Sequence, residues 1–255
     1  MRFLENRLLY FPVRPLDATP ADYGLASHDL RIITSDGIRL HGWWIQAGGH
    51  RVVLLFHGNA GNIGHRLDRA KLFAERLGVD LFLVDWRGYG LSEGNPSEAG
   101  LYRDGLAIYD AARASGFSPD RIVVLGESLG CAVALEVALA RPCAGVALET
   151  PFLSVPILAR KHYPFVPGFL VRSKFDSESR VRGVTVPKLI VAAERDEIVP
   201  VSHARRLFEV APPPKELFVV PGAGHNDAYS IGGGSYLFTW RRFLAAIDSR
   251  GQVRS

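Results

Sequence analysis

Val123-Val124-Leu125-Gly126-Glu127-Ser128-Leu129-Gly130-Cys131-Ala132 joins a short apolar run to a helical pattern, with a serine between two glycines at the junction. G-x-S-x-G at a strand-to-helix junction is a nucleophile elbow. Its turn is so tight that a Cβ two residues to either side of the serine would meet neighbouring backbone, so Gly126 and Gly130 are steric requirements. The same turn forces Ser128 into a strained conformation and exposes its Oγ at the end of the strand.

Outward from the elbow, short apolar runs alternate with amphipathic stretches, the order expected of a mostly parallel sheet with helices on both faces. Eight strands are predicted, at 30–33, 40–45, 52–56, 81–85, 122–125, 145–148, 189–193 and 217–220. Helices are predicted at 64–77, 99–114, 129–140, 203–210 and 236–247. The first two strands, split by Ser35-Asp36-Gly37, read as an antiparallel hairpin, and the remaining connections read as crossovers. The expected class is therefore α/β.

With 255 residues and 47% apolar composition, the chain reads as one domain, 1–255. Its one irregular region, 150–187, carries Pro151, Pro156, Pro164, Pro167 and Pro187 and reads as a small lid or cap insertion. The aromatics Phe152, Tyr163, Phe165, Phe169 and Phe175 in that region either line an acyl pocket or anchor the insertion to the body.

A net charge of +4 with no basic run longer than two residues argues against a nucleic-acid surface. No run of about 18 apolar residues occurs, and charges interrupt the N-terminus, so neither a spanning helix nor a signal peptide is expected. The expected location is cytoplasmic. Leu8-Leu9-Tyr10-Phe11-Pro12 reads as an N-terminal segment packed on the core, with the remnant of a removed membrane anchor, and hence peripheral membrane contact, as the alternative. Cys131 and Cys143 flank one predicted helix, which sets them roughly 18 Å apart, beyond disulfide reach.

A serine hydroxyl needs a histidine to take its proton and an acid to orient that histidine. The predicted strand 189–193 runs into Glu194-Arg195-Asp196-Glu197, and Asp196 is the candidate acid at the sheet edge where Ser128 emerges. Glu194, two residues earlier in an extended chain, is its competitor. The next strand leads into Pro221-Gly222-Ala223-Gly224-His225-Asn226-Asp227, a glycine-rich loop that delivers His225 as the candidate base. His28, His41, His50, His65, His162 and His203 follow no late strand on such a loop and read as solvated or structural. Val52-Val53-Leu54-Leu55-Phe56-His57-Gly58-Asn59 ends in a loop able to turn a backbone N–H toward a developing oxyanion. The Asn59 and Leu129 amides are the candidate oxyanion donors, each worth on the order of 3 kcal/mol in a transition state. His57 reads as a brace for that loop, with a second-base role as the alternative. Asp85 is a poor alternative acid because it precedes Ser128. No zinc spacing and no phosphate-binding glycine loop occurs, so no metal or cofactor is expected.

With these residues in hand, the chain resembles the α/β-hydrolase superfamily over nearly its whole length. His57-Gly58-Asn59-Ala60-Gly61-Asn62, the Asp85 to Gly94 turn, Glu149-Thr150-Pro151-Phe152 and Gly224-His225-Asn226-Asp227 resemble the small-lid branch that holds protein depalmitoylases, fungal cell-polarity hydrolases and bacterial esterases. The chain departs from the depalmitoylases in carrying Glu127, where they have a basic residue. The resemblance and the triad order together imply a serine carboxylesterase acting on small-molecule esters, and the small 150–187 insertion implies an accessible site and hence short to medium acyl chains. An acyl-protein thioesterase or serine peptidase with the same triad is the alternative within enzymes. A catalytically silent scaffold is the alternative from another class.

Overall fold

The structure, a computed structural model, describes residues 2–163, 165 and 171–252. In chain order its elements are α1 (Arg2–Leu9), β1 (Phe11–Pro12), β2 (Ser27–Ile33), β3 (Arg39–Ile45), β4 (Val52–Phe56), β5 (Ala60–Gly61), α2 (Leu67–Leu77), β6 (Asp80–Val84), α3 (Glu98–Ala114), β7 (Ile122–Glu127), α4 (Leu129–Ala140), β8 (Gly145–Glu149), α5 (Val155–His162), α6 (Ser177–Val181), β9 (Lys188–Ala193), α7 (Val201–Val210), β10 (Lys215–Val220) and α8 (Ala228–Gln252). Short 3-10 turns precede β2, α2 and β7.

All eight predicted strands form one sheet in the order β10-β9-β8-β7-β4-β6-β3-β2, parallel from β10 to β6, with β3 and β2 antiparallel at one edge. The central strand shows why the sheet is covered on both sides. Val52, Leu54 and Phe56 of β4 belong to one buried cluster with Leu101 and Ile108 of α3 and Leu135 of α4. Val53 and Leu55 belong to another with Phe73 of α2 and Trp240 and Ile247 of α8. Side chains alternate along a strand, so an all-apolar strand feeds two cores at once. Gly105 lets α3 approach α4 closely, because a Cβ there would stand 2.5 Å from Val133 Cγ1.

The connection from β3 to β4 is not the crossover expected. Only residues 46–51 separate these strands, and β4 lies beyond β6 in the sheet. Because β3 runs antiparallel to β6, no helix is needed to return the chain. Asp80 pins the short loop by accepting from Ala47 N at 3.0 Å, Gly49 N at 3.1 Å and Trp44 Nε1 at 2.9 Å.

Two features outside the sheet were not anticipated. Residues 2–9 form α1, and β1 pairs in parallel with β5, while Tyr10 enters the core as expected of the 8–12 segment. Within 150–187, α5 and α6 replace what reads as loop. Pro156 obscures α5 in the sequence, yet proline is tolerated in the first turn, and Ser154 caps the helix through Ile157 N. Phe152 and Phe175 are buried and Phe165 is 96% exposed, while Phe169, Pro164 and Pro167 lie outside the described residues. No described helix is long and apolar enough to cross a membrane.

Candidate active site

β7 ends on Glu127, α4 begins at Leu129, and Ser128 occupies the turn with φ 49° and ψ −109°. That conformation is costly for a residue with a Cβ and persists only where its surroundings impose it. They do so here through the flanking glycines. A Cβ on Gly130 would stand 1.9 Å from Phe56 O, and one on Gly126 would stand 2.5 Å from the Cys131 backbone. Ser128 N donates to Glu149 O at 2.9 Å, which ties the elbow to the end of β8.

Asp196 and His225, on the loops after β9 and β10, reach the same edge. His225 Nε2 is 3.0 Å from Ser128 Oγ, and His225 Nδ1 is 2.7 Å from Asp196 Oδ2. Asp196 Oδ1 accepts from Ile198 N at 2.9 Å and Val199 N at 2.6 Å, so the carboxylate is held on both oxygens. The His225 and Asp196 side chains are 7% and 2% exposed. Asp227 Oδ1 accepts from Gly224 N at 2.7 Å and shapes the loop that presents the histidine. Glu194, the competing acid, turns instead to Gly222 N at 2.8 Å and caps that turn.

The Asn59 loop is held from several directions. Asn59 O accepts from Phe11 N and Tyr89 Oη, each at 2.8 Å, and Asn59 Nδ2 donates to Leu9 O at 2.9 Å. Asn59 borders the same cavity as Ser128, whereas the Leu129 side chain is buried. Leu129 opens α4 beside Ser128, which leaves its N–H outside the helix's own ladder. His57 is wholly buried and donates from Nδ1 to Gly58 O at 2.8 Å, while its Nε2 lies 3.5 Å from Trp86 N and Asp85 Oδ1. It braces the loop and does not face the cavity. Asp85 is likewise buried and accepts from Ile63 N at 3.0 Å.

A cluster of charges that sequence reasoning missed stands behind Ser128. Arg69, on α2, pairs with both Glu127 and Glu149 and donates to Tyr236 Oη at 2.8 Å. Tyr236 Oη donates to Glu149 Oε1 at 2.5 Å, and Arg66 Nε lies 3.4 Å from Glu127 Oε2. Burial opposes charge on Glu127, but Arg69 and Arg66 hold its carboxyl below the usual range. Burial pushes Glu149 up, against the pull of Arg69. The local signal was the acidic residue inside the elbow itself. Its partners lie 58 and 61 positions away.

The cavity beside Ser128 has a volume of about 230 Å³. None of Phe152, Tyr163, Phe165 or Phe175 borders it. The two buried ones anchor the 150–187 segment, with Phe175 set edge-on against Tyr10 and Tyr102. Both cysteines are free and buried, and Cys131 Sγ donates to Gly126 O at 3.1 Å. Among the described residues no three His, Cys, Asp or Glu side chains are grouped as a metal site.

Residues 49–182 match the family described as serine aminopeptidase, S33. An uncharacterized protein of Mycobacterium tuberculosis is 38% identical, over 97% of this chain and 90% of its own length. The α/β-hydrolase domain-containing protein WAV2 of Arabidopsis thaliana is 32% identical, over 94% of this chain and 87% of its own. Among solved structures, the Pyrococcus furiosus esterase Pf2001 superposes with a TM-score of 0.79 at 23% identity, over 92% of this chain and 98% of that one. With its sheet order and elbow, the chain belongs to the serine aminopeptidase S33 family of the α/β-hydrolase superfamily.

Proposed function

We propose that the chain is a serine esterase acting through an acyl-enzyme. The observation that carries this is the unbroken chain of hydrogen bonds Ser128 Oγ to His225 Nε2, 3.0 Å, and His225 Nδ1 to Asp196 Oδ2, 2.7 Å. A neutral serine hydroxyl is a weak nucleophile, so attack requires His225 to take the Oγ proton as the C–O bond forms. Asp196 holds the tautomer with Nδ1 protonated and stabilises the imidazolium. The Asn59 and Leu129 amides stabilise the oxyanion. His225 then returns its proton to the departing alcohol, and water repeats the sequence on the acyl-enzyme to release the acid.

A cavity of about 230 Å³ favours small acyl groups over long chains. The similar Pyrococcus fold is that of an esterase. The matched family is described as serine aminopeptidase, which makes an amide the substrate to set beside an ester. Ser128→Ala is expected to lower kcat on a short-chain p-nitrophenyl ester by roughly 10³-fold or more with unchanged thermal unfolding, and to abolish labelling by a fluorophosphonate. Turnover close to wild type in that variant would overturn the mechanism. Matched ester, thioester and amide substrates separate the esterase from the thioesterase and the peptidase, and a wild-type serine that takes no label would point to a silent scaffold.

A further inference from the structure

The wall of the Ser128 cavity is unlike an acyl tunnel. Its large apolar side chains are Ile198 and Tyr229, and it includes four charged groups, Arg66, Arg69, Glu127 and Glu149. The two arginines differ in what remains free to them. Arg69 is buried and committed to two carboxylates and a tyrosine. The Arg66 side chain is 19% exposed. Its contacts are Nη2 to Ala60 O at 3.0 Å, Nε to Glu127 Oε2 at 3.4 Å and Nη1 to Asn62 O at 3.5 Å, only the first of good length. A guanidinium carries five N–H donors, so Arg66 keeps donors to spare among the described residues.

Gly58 opens the space between this arginine and the nucleophile. A Cβ built on it would stand 3.6 Å from Ser128 Cβ, 3.7 Å from Glu127 O and 3.9 Å from Arg66 Nη2, so the serine and the guanidinium lie within 4 Å of one point that no side chain fills. An anion held there would not orphan Glu127, whose Oε1 is already paired closely with Arg69. Burial also works against negative charge on Glu149 at the back of the cavity.

We propose that this cavity selects small esters carrying an anionic group, such as a carboxylate, a few bonds from the scissile carbonyl, and that Arg66 binds that anion. The inference rests on the serine-esterase reading. Arginine suits the task because its planar fork meets a carboxylate with two parallel, charge-assisted hydrogen bonds. It acts on specificity and leaves the bond-breaking step to Ser128 and His225.

The test compares kcat/KM for two pairs of esters that differ only in a carboxylate for a methyl. Monomethyl glutarate against methyl valerate puts the anion on the acyl side, and 4-acetoxybutyrate against butyl acetate puts it on the alcohol side. The wild-type enzyme is expected to prefer the anionic member of at least one pair by about tenfold. Arg66→Gln is expected to bring that ratio near one, and Arg66→Lys to leave it between. The ratio isolates recognition, because a loosened Asn59 loop slows both members of a pair alike. A wild-type ratio near one, or a ratio that survives Arg66→Gln, overturns the anion site. In either case Ser128-dependent cleavage of the neutral esters leaves the esterase reading standing. Cleavage of none of the four overturns both.

Discussion

The elbow at Ser128 and the loop at Asn59 face each other across one cavity, yet they are held in opposite ways. The elbow is local in its sequence signal and is held by steric exclusion. Two glycines within two residues of the serine leave room for backbone that a Cβ would strike, that of Gly130 and Cys131 beside Gly126 and that of Phe56 and His57 beside Gly130. The Asn59 loop is distributed. Its carbonyl and side chain are held by Leu9, Phe11 and Tyr89, separated from it by 50, 48 and 30 positions. Tyr89 in turn lies on a turn anchored by Arg87, which pairs with Asp104 on α3 and with Asp36 in the β2–β3 hairpin. A local device fails all at once, whereas a distributed one loses rigidity in instalments.

Gly130→Ala is the strongest way to break that contrast. The new Cβ meets Phe56 O at 1.9 Å, and only backbone movement can relieve it. A loss on the order of 4 kcal/mol in urea-unfolding stability is expected, with esterase activity lost in whatever folds. Acceptance of alanine at a cost below about 1 kcal/mol would show that the elbow is not sterically set.

Tyr89→Phe probes the distributed side with a smaller expected effect. It removes one of two donors to Asn59 O and keeps the buried ring. Stability is expected to fall by about 1 kcal/mol. On the proposed mechanism, displacement of the Asn59 amide should lower kcat by about tenfold with KM nearly unchanged, as read from steady-state kinetics. An equal rise in KM at constant kcat would instead place Tyr89 in substrate binding.

Asp36→Asn lies farthest out and should matter least. Hydrogen bonds from Arg87 and Thr34 hold the Asp36 carboxyl below its ordinary range. A carboxyl whose folded pKa is depressed contributes stability that is complete above its unfolded pKa, near 3.8, and is lost as pH falls through the folded value. Wild type and Asp36→Asn should therefore differ in denaturant midpoint at pH 7 and converge under strong acid. A difference that grows on acidification would contradict the Arg87 anchor.

Legibility followed the same division. The eight strands were readable because each is an apolar run with turn residues at both ends. The meeting of Ser128, Asp196 and His225 was readable because each follows a predicted strand on the edge where parallel strands end. By contrast, α1 is short and charged, β1 and β5 have two residues each, and α5 begins at a proline-bearing turn. None carries enough periodicity to stand out alone. Two residues apart in an extended chain, Glu194 stayed a competitor to Asp196. Their partners separate them, since Gly222 N takes Glu194 and His225 takes Asp196.

The chain by itself determined the strands, the elbow motif and the order in which Ser128, Asp196 and His225 arrive, because these are signalled by residue size and periodicity over a few neighbouring positions. Only the tertiary structure decided the character of the cavity. Arg66 and Arg69 meet Glu127, and Arg69 meets Glu149, because the 3-10 turn before α2 and the first turn of α2 reach the last residues of β7 and β8. Charge pairing across some 60 or 80 positions leaves no local pattern, and it exists only once packing has brought the elements together.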